Sequence, residues 1–392
     1  MKSYTASRGT AQVAEILFDL ATKIVTPDQE VWSVFPGIGR KFYGQFVTEG
    51  VIFLDAPGLR LTEGILEDDN SLRQNVAMSH AWIKYYYSSD AALPSTNPAD
   101  YDVVKNPSFN AAVGNIRSVF LHMKVGDLVL VGGHSLYDPI LIGEIVSPFD
   151  ARNVTRYERY GNERIPTRKV NWLRTDIERR VLTQSLSKLL SNRRAVVKVD
   201  KPSFGVEVFR LAYGDYVSGA EARYIFKGPK YRNIATSAVP GIDLISYFCA
   251  AYNAFEEGEL DAFAKLEIKQ AIDNYFEQDV LYSFEIDFAS PGEYVLYAKR
   301  AALPLLVAVL VSATAGAISL TEARSAEITN SASAPITSSA APSECVEIEE
   351  KYRAIMNSIN ADRFNQICKI NKDAQDGVGL KVDVKSKTKP KK

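Results

Sequence analysis

Between Ala301 and Leu320 the chain reads AALPLLVAVLVSATAGAISL, twenty residues without a charge. Such a run has two physical outlets, the hydrocarbon of a bilayer or the interior of a protein. As a helix rising about 1.5 Å per residue it spans about 30 Å, the thickness of a bilayer's hydrocarbon core. On that length it is read as a single transmembrane helix. The alternative is a buried core helix, which the many Ala residues and Pro304 near its start favour. Ser312 and Gly316 give a small-xxx-small face suited to helix packing, so self-association is an expectation as well. Lys299 and Arg300 precede the run, while Glu322, Arg324 and Glu327 follow it. The positive-inside bias then puts the first 300 residues in the cytoplasm and residues 301–320 in an inner membrane. If the run is core instead, the protein is cytoplasmic throughout. No signal peptide is expected, because Asp19 interrupts the best apolar stretch near the N-terminus.

Lys plus Arg total 46 and Asp plus Glu 47, a net charge of −1. That excludes holding nucleic acid by bulk charge, which needs a concentrated basic surface, and leaves room only for a local groove. With 46% hydrophobic and 24% charged residues the chain folds. Its 20 tyrosines and 18 phenylalanines suit a binding surface. Three cysteines and three histidines (His80, His122, His134) show no ligand spacing, so neither a metal nor another cofactor is expected.

The pattern along the chain predicts an α+β protein in six segments. Residues 1–30 hold an N-terminal helix, with apolar positions Val13, Ile16, Leu17, Leu20 and Ile24 at helical spacing. Residues 31–200 contain helix-like stretches and then short runs rich in Val, Ile and Leu, bounded by Gly and Pro. These are GDLVLVGG (126–133), DPILIGEIVSPF (138–149) and RKVNWLR (168–174), and they read as strands of a small, strongly curved sheet or barrel. Residues 201–300 form a second α+β module, 301–320 the apolar helix, and 321–343 a Ser/Ala/Thr/Pro linker. Residues 344–392 are a helical segment with a Lys-rich disordered tail. Cys345 and Cys368 lie near the ends of that segment and could form a disulfide in an oxidising compartment.

Three blocks in the second segment resemble the PUA-like superfamily, and more closely the EVE/YTH-type modules fused to bacterial restriction and phage-defence proteins. They are VWSVFPGIGRKFYGQFVTEGVIFLD (31–55), MKVGDLVLVGG (123–133) with ILIGEI (140–145), and RKVNWL (168–173) followed by a Leu-rich helix and AVVKVD. Gly126-Asp127, Gly143-Glu144 and Arg168…Val170…Trp172 stand in the order such modules show. The long insertion between Asp55 and Val125 departs from compact members. The resemblance implies a curved barrel with flanking helices that holds a modified base between aromatic faces and reads its polar edge. It places Trp32, Phe35 and Trp172 nearest the pocket. His134 and Tyr137 lie on the loop after a strand ending in Gly-Gly, within reach of a ligand. Arg40, Lys41, Arg164, Arg168 and Lys169 could contact phosphates, although Arg168 and Lys169 alternate on a strand and at most one faces a groove. Arg174, Arg179, Arg180, Arg193 and Arg194 make the densest basic patch.

Catalytic patterns are poor. Gly37-Ile-Gly39 lacks the third glycine of a dinucleotide loop, and Arg117…His122 lies on an amphipathic helix. Asp261 with Glu267 and Lys269 is a degenerate nuclease pattern on a helical stretch, and no Walker loop or Gly-x-Ser-x-Gly occurs. An enzyme is therefore the weaker reading. The expected function is a nucleic-acid or nucleotide sensor coupled to the membrane through 301–320, in bacterial antiviral defence. The alternatives are a soluble nucleic-acid-binding specificity subunit of a restriction-type system, with 301–320 as core, and a cryptic nuclease in 203–300.

Overall fold

The computed structural model describes residues 15–161, 163–219, 221–232, 234–287, 292–316, 318–333 and 343–389. They fall into two compact units, one of residues 28–213 and the other of the segments before 28 and after 213. This division differs from the boundary expected at 200/201. The helix Lys201–Tyr213 belongs with the first unit, where Tyr213 Oη donates to Glu144 at 2.5 Å, and the strand Lys23–Val25 belongs with the second.

The 28–213 unit is built on an open six-stranded sheet. Its order is Val196–Lys198, Val31–Val34, Leu128–Val131, Pro139–Ile145, Arg168–Glu178, Val51–Ile52. The pair Val31–Val34 and Leu128–Val131 is parallel and the other neighbours antiparallel. All four residues of Leu128–Val131 are buried, as expected of a strand covered on both faces. Register shifts at Ile140–Gly143 against the long strand Arg168–Glu178 bend the sheet into a half-barrel, because a bulge increases local twist. Gly143 is required there, since a Cβ would lie 2.5 Å from Val170 Cγ1 and 2.6 Å from the Trp172 ring. The insertion after Asp55 is ordered helix, Asp69–Tyr87 and Pro107–Arg117, each started by a side-chain cap (Asp68 and Asn106).

The second unit has a five-stranded sheet in the order Leu281–Asp287, Gly292–Ala298, Glu221–Gly228, Tyr216–Ser218, Lys23–Val25. A three-stranded sheet places Glu15–Asp19 between Glu327–Thr329 and Lys385–Lys389. This corrects two expectations. The N-terminal helix is, in its described part, strand: Ile16, Phe18 and Leu20 are buried at alternate positions, and pairing with the far end of the chain decides between two periods that the same apolar residues satisfy. The Lys-rich tail is not disordered over 385–389, where it supplies an edge strand, and residues 390–392 lie outside the described residues. Of the expected linker, Leu320–Arg324 is a helix opened by a Ser319/Glu322 capping box and Glu327–Thr329 is a strand, while 334–342 lies outside the described residues.

The expected transmembrane helix is overturned. Among the described residues no helix is long and apolar enough to cross a membrane. The apolar run forms the helix Ala302–Ala313, twelve residues, about 18 Å. Of these only Ser312 is not buried, because the helix lies in a core with Ala235–Glu256, Ser343–Ser358 and the strands Glu221–Gly228 and Gly292–Ala298. A helix apolar all round is also what the centre of a large core demands. It stops where Thr314 Oγ1 turns back on the Leu310 carbonyl, and buried Asn371 donates Nδ2 to the Val311 carbonyl at 2.7 Å. The charges that suggested a membrane orientation have local partners: Arg300 pairs with Glu256, and Arg324 donates to the carbonyls of Met356 and Ile359. The expected membrane contact through 301–320 therefore loses the helix it rested on. Cys345 and Cys368 are thiols, not bridged, and Cys345 is part of the core.

Candidate ligand-binding site

In the 28–213 unit a cavity of about 890 Å³ opens beside the strand Val31–Val34, within the roughly 300–1,000 Å³ range of small-ligand sites. Part of its wall is the segment that leaves that strand. Phe35 is followed by a tight loop in which Gly37, Gly39 and Arg40 all have positive φ, 75°, 65° and 55°. Gly37 is needed for its backbone, and a Cβ would also lie 2.8 Å from the Phe42 ring. Arg40 is the costly member, because a non-glycine residue in the left-handed region is strained. Its guanidinium holds it there, donating to the carbonyls of Gly132 and Leu190 and lying 5.2 Å over the Phe35 ring. Ile38, at the tip, is 84% exposed.

The cationic part of the lining comes from three segments: Arg40 on this loop, Arg179 after the long strand, and Arg193 after the helix Gln184–Leu190. Arg179 is buried and donates to the Ser187 carbonyl at 2.7 Å and to the hydroxyls of Ser187 and Ser191. Burial and the neighbouring Arg179 charge both pull Arg40 below the ordinary arginine value, the mark of two cations held in one place. Arg193 is exposed at the rim.

The insertion supplies the remaining wall. Val76, Ser79 and His80 come from Asp69–Tyr87, and Ala112, Asn115 and Ile116 from Pro107–Arg117. His80 packs on Phe109 with ring centroids 4.6 Å apart, and burial lowers its pKa, so the imidazole is neutral at pH 7. Asp55 also lines the cavity, but its charge is matched by Lys41 Nζ at 2.7 Å, and it accepts from Tyr160 Oη at 2.5 Å.

Of the ten ligand and phosphate residues expected from sequence, Phe35, Arg40 and His134 meet at this cavity. The other seven do not line it. Trp32 is buried and donates Nε1 to the Asp127 carboxylate at 3.0 Å, while Asp127 also accepts from the Glu30 and Lys124 amides. The Gly-Asp pair thus staples strands together. Trp172 donates to the Phe46 carbonyl at 2.7 Å and, half-buried, packs against the core. Tyr137 is 75% exposed. Lys41 sits over the rings of Phe42, Tyr87, Tyr157 and Tyr160 and is held by Asp55. Arg168 is the inward member of its pair: buried, it donates to the carbonyls of Val119, Phe120, Met123 and Ser147, and burial pushes it down to about 10. An arginine committed to four carbonyls inside the protein contacts no phosphate. Lys169 points outward, and Arg164 lines a separate recess of about 440 Å³.

Arg179 and Arg193 were visible only as members of a basic patch, and Ser79 and Asn115 carried no sequence signal. Among the described residues no cluster of His, Cys, Asp and Glu gathers to hold a metal ion. Asp261, Glu267 and Lys269 are exposed, as is His122, and Cys249 is buried with its thiol pushed up by burial. The chain matches no family model, no curated protein and no solved structure.

Proposed function

We propose that the 28–213 unit binds a nucleotide, free or as one residue of a nucleic acid, in the 890 Å³ cavity. The observation that carries this reading is the composition of one cavity: three arginines, two histidines, one phenyl ring, and a polar-apolar wall from the helical insertion. Arg193, exposed at the rim, suits phosphate oxygens because the guanidinium fork matches them, while Arg40 and Arg179, whose donors go largely to Gly132, Leu190, Ser187 and Ser191, add positive potential behind it. Phe35 offers a ring face for a base, and Val76, Ala112 and Ile116 keep water from the remaining edge. The aromatic cage of the sequence expectation is replaced by a single aromatic under a cationic wall. With Trp32 and Trp172 used in packing, the resemblance supports the barrel-side position of the site more than its ligand chemistry. A role in antiviral defence stays part of the proposal, and self-association is left to measurement.

The test is equilibrium binding of the full chain to free nucleotides and to short single-stranded oligonucleotides with and without modified bases. Arg193→Ala and Phe35→Ala should each weaken binding about tenfold, since neither substitution removes a side-chain hydrogen bond of the described unit. Binding should weaken with salt only modestly, as few phosphates are contacted. Failure of every nucleotide and oligonucleotide to bind at millimolar concentration sinks the reading.

A further inference from the structure

We propose that the recess of about 440 Å³ on the ribbon of Val154–Arg156 and Arg164–Pro166 binds a small organic phosphate monoester, at a site separate from the larger cavity. It does not depend on the nucleotide reading. The starting observation is a register. Arg156 stands directly opposite Arg164 in the ribbon, and like charges facing each other across two strands weaken the pairing. Arg60 brings a third guanidinium to the same recess. All three residues are exposed, and the side chains of Arg60 and Arg164 make no hydrogen bond or ion pair among the described residues. Cations gathered round one hollow hold a positive potential there for an anion.

Their convergence has a local cause. Side chains alternate across the ribbon, and Thr155 and Ile165 face the interior. The Thr155 hydroxyl donates to Glu49 at 2.7 Å and accepts from Gln45 at 2.5 Å, which fixes that face to the rest of the unit. The opposite face then presents two pairs, Arg156 with Arg164 and Val154 with Pro166, and all four residues line the recess. The Gly58 amide donates to the Arg164 carbonyl at 2.9 Å and lays the segment carrying Arg60 against the ribbon. Gly58 has φ 72°, and a Cβ there would lie 2.6 Å from the Trp82 ring, so this approach needs glycine. Buried Leu59 and Leu61 flank Arg60 and, with Phe149, extend the apolar part of the lining.

Charge and size name the ligand class. Three guanidiniums stand against one carboxylate, Glu163, in the lining, an excess of two positive charges. A phosphate monoester carries about −1.5 to −2 at neutral pH, so it neutralises that excess, and its oxygens match the guanidinium fork. A carboxylate or a phosphodiester brings a single charge and leaves the rest unmatched. The apolar residues take the organic part of the ester, and the volume lies within the roughly 300–1,000 Å³ of small-ligand sites.

The experiment is calorimetric titration of the full chain with phenyl phosphate, inorganic phosphate and benzoate. The proteins are wild type, Arg164→Gln, Arg60→Gln and Arg193→Ala, the last reporting on the larger cavity. Wild type should bind phenyl phosphate at least tenfold more tightly than either other probe. Arg164→Gln and Arg60→Gln should each lose about tenfold, and Arg193→Ala should bind as wild type. Without ligand, Arg164→Gln should melt at or above the wild-type temperature, because it relieves the facing charges. Arg60→Gln lies outside the ribbon and keeps the test decisive if Arg164→Gln fails to fold. Loss confined to Arg193→Ala would put the anion in the larger cavity and overturn the proposal. So would phenyl phosphate binding no tighter than inorganic phosphate, which shows charge without a fitted recess. Displacement of phenyl phosphate by an unphosphorylated oligonucleotide would assign the arginines to a nucleic-acid backbone and overturn it as well. No binding of phenyl phosphate at millimolar concentration removes the proposal and leaves the nucleotide reading standing.

Discussion

Asn371 and Ser79 are helical polar residues, 1% and 2% exposed, in the two units of this protein, and they are treated in opposite ways. Asn371 donates Nδ2 to the Val311 carbonyl at 2.7 Å and to Thr314 Oγ1 at 2.9 Å, and its Oδ1 accepts from Gln375 at 2.9 Å. It closes the end of the most deeply buried helix, where a carbonyl without a partner would be expensive. Ser79 borders a cavity and is paired with nothing. The same contrast holds for backbone conformation. The helix Ala302–Ala313 ends on a satisfied turn, whereas the loop Gly37–Arg40 holds a left-handed arginine at a cavity wall. One region spends its polar groups on the fold. The other leaves a hydroxyl unpaired and a backbone strained beside a cavity, the pattern expected of a functional site.

The largest effect expected from this contrast lies in the core. Leu306 is fully buried in Ala302–Ala313, so Leu306→Ala should destabilise the second unit by about 2–5 kcal/mol. Denaturant titration of the full chain would measure it. A variant as stable as wild type would mean that the run does not form that core. Next comes Asp215, whose Oδ1 accepts the Ile225 amide at 2.8 Å. Burial pushes its carboxyl up to about 7. Because the folded state holds this proton more tightly than the unfolded chain, stability contributed below about pH 4 is lost as pH rises through about 7. Asp215→Asn keeps an acceptor for Ile225 and should flatten that dependence over pH 4–7. An unchanged profile would show that the carboxyl is ionised in the fold.

The strands of the 28–213 unit were legible because their signals are local. Gly126 turns the chain with φ 92°, and Leu128–Val131 and Pro139–Ile145 follow as apolar runs. The strand Glu15–Asp19 was not legible, since its partners stand at the opposite end of the sequence. The run 301–320 misled for a related reason. Absence of charge identifies a non-aqueous environment but not which one, and the protein around Leu303–Val311 comes from segments on both sides of it. Phe35, Arg40 and His134 share a cavity wall because each follows a strand end. Trp32 and Arg168 were misjudged because a polar atom on a strand looks equally ready for a ligand or for a buried partner. Asp127 and four backbone carbonyls took them. Ser79 could not be found, because what sets it apart is a missing partner.

Replacement of Asn371 sharpens the comparison at intermediate size. Asn371→Ala leaves the Val311 carbonyl with only the longer contact from Thr314 Oγ1, at 3.3 Å, and should cost about 1–3 kcal/mol, the opposite sign from Ser79→Ala, in matched thermal melts of the two variants. Equal destabilisation by both would erase the distinction between a polar group used by the fold and one left unpaired. The smallest effect concerns His80. Burial lowers its pKa, so the fold favours the neutral ring and the unfolded chain binds the proton more readily. Stability of the 28–213 unit should therefore fall as pH drops below about 6.5, opposite in direction to the Asp215 dependence of the other unit. His80→Gln should remove that fall while keeping a donor and an acceptor in the wall. A bound ligand that hydrogen-bonds to the neutral ring would deepen the acid sensitivity of binding beyond that of the fold, since protonation then breaks an acceptor contact as well. Nuclear magnetic resonance titration of the His80 ring with and without oligonucleotide separates the two: a further lowering on binding ties the imidazole to the base edge, and an unchanged value confines it to packing against Phe109.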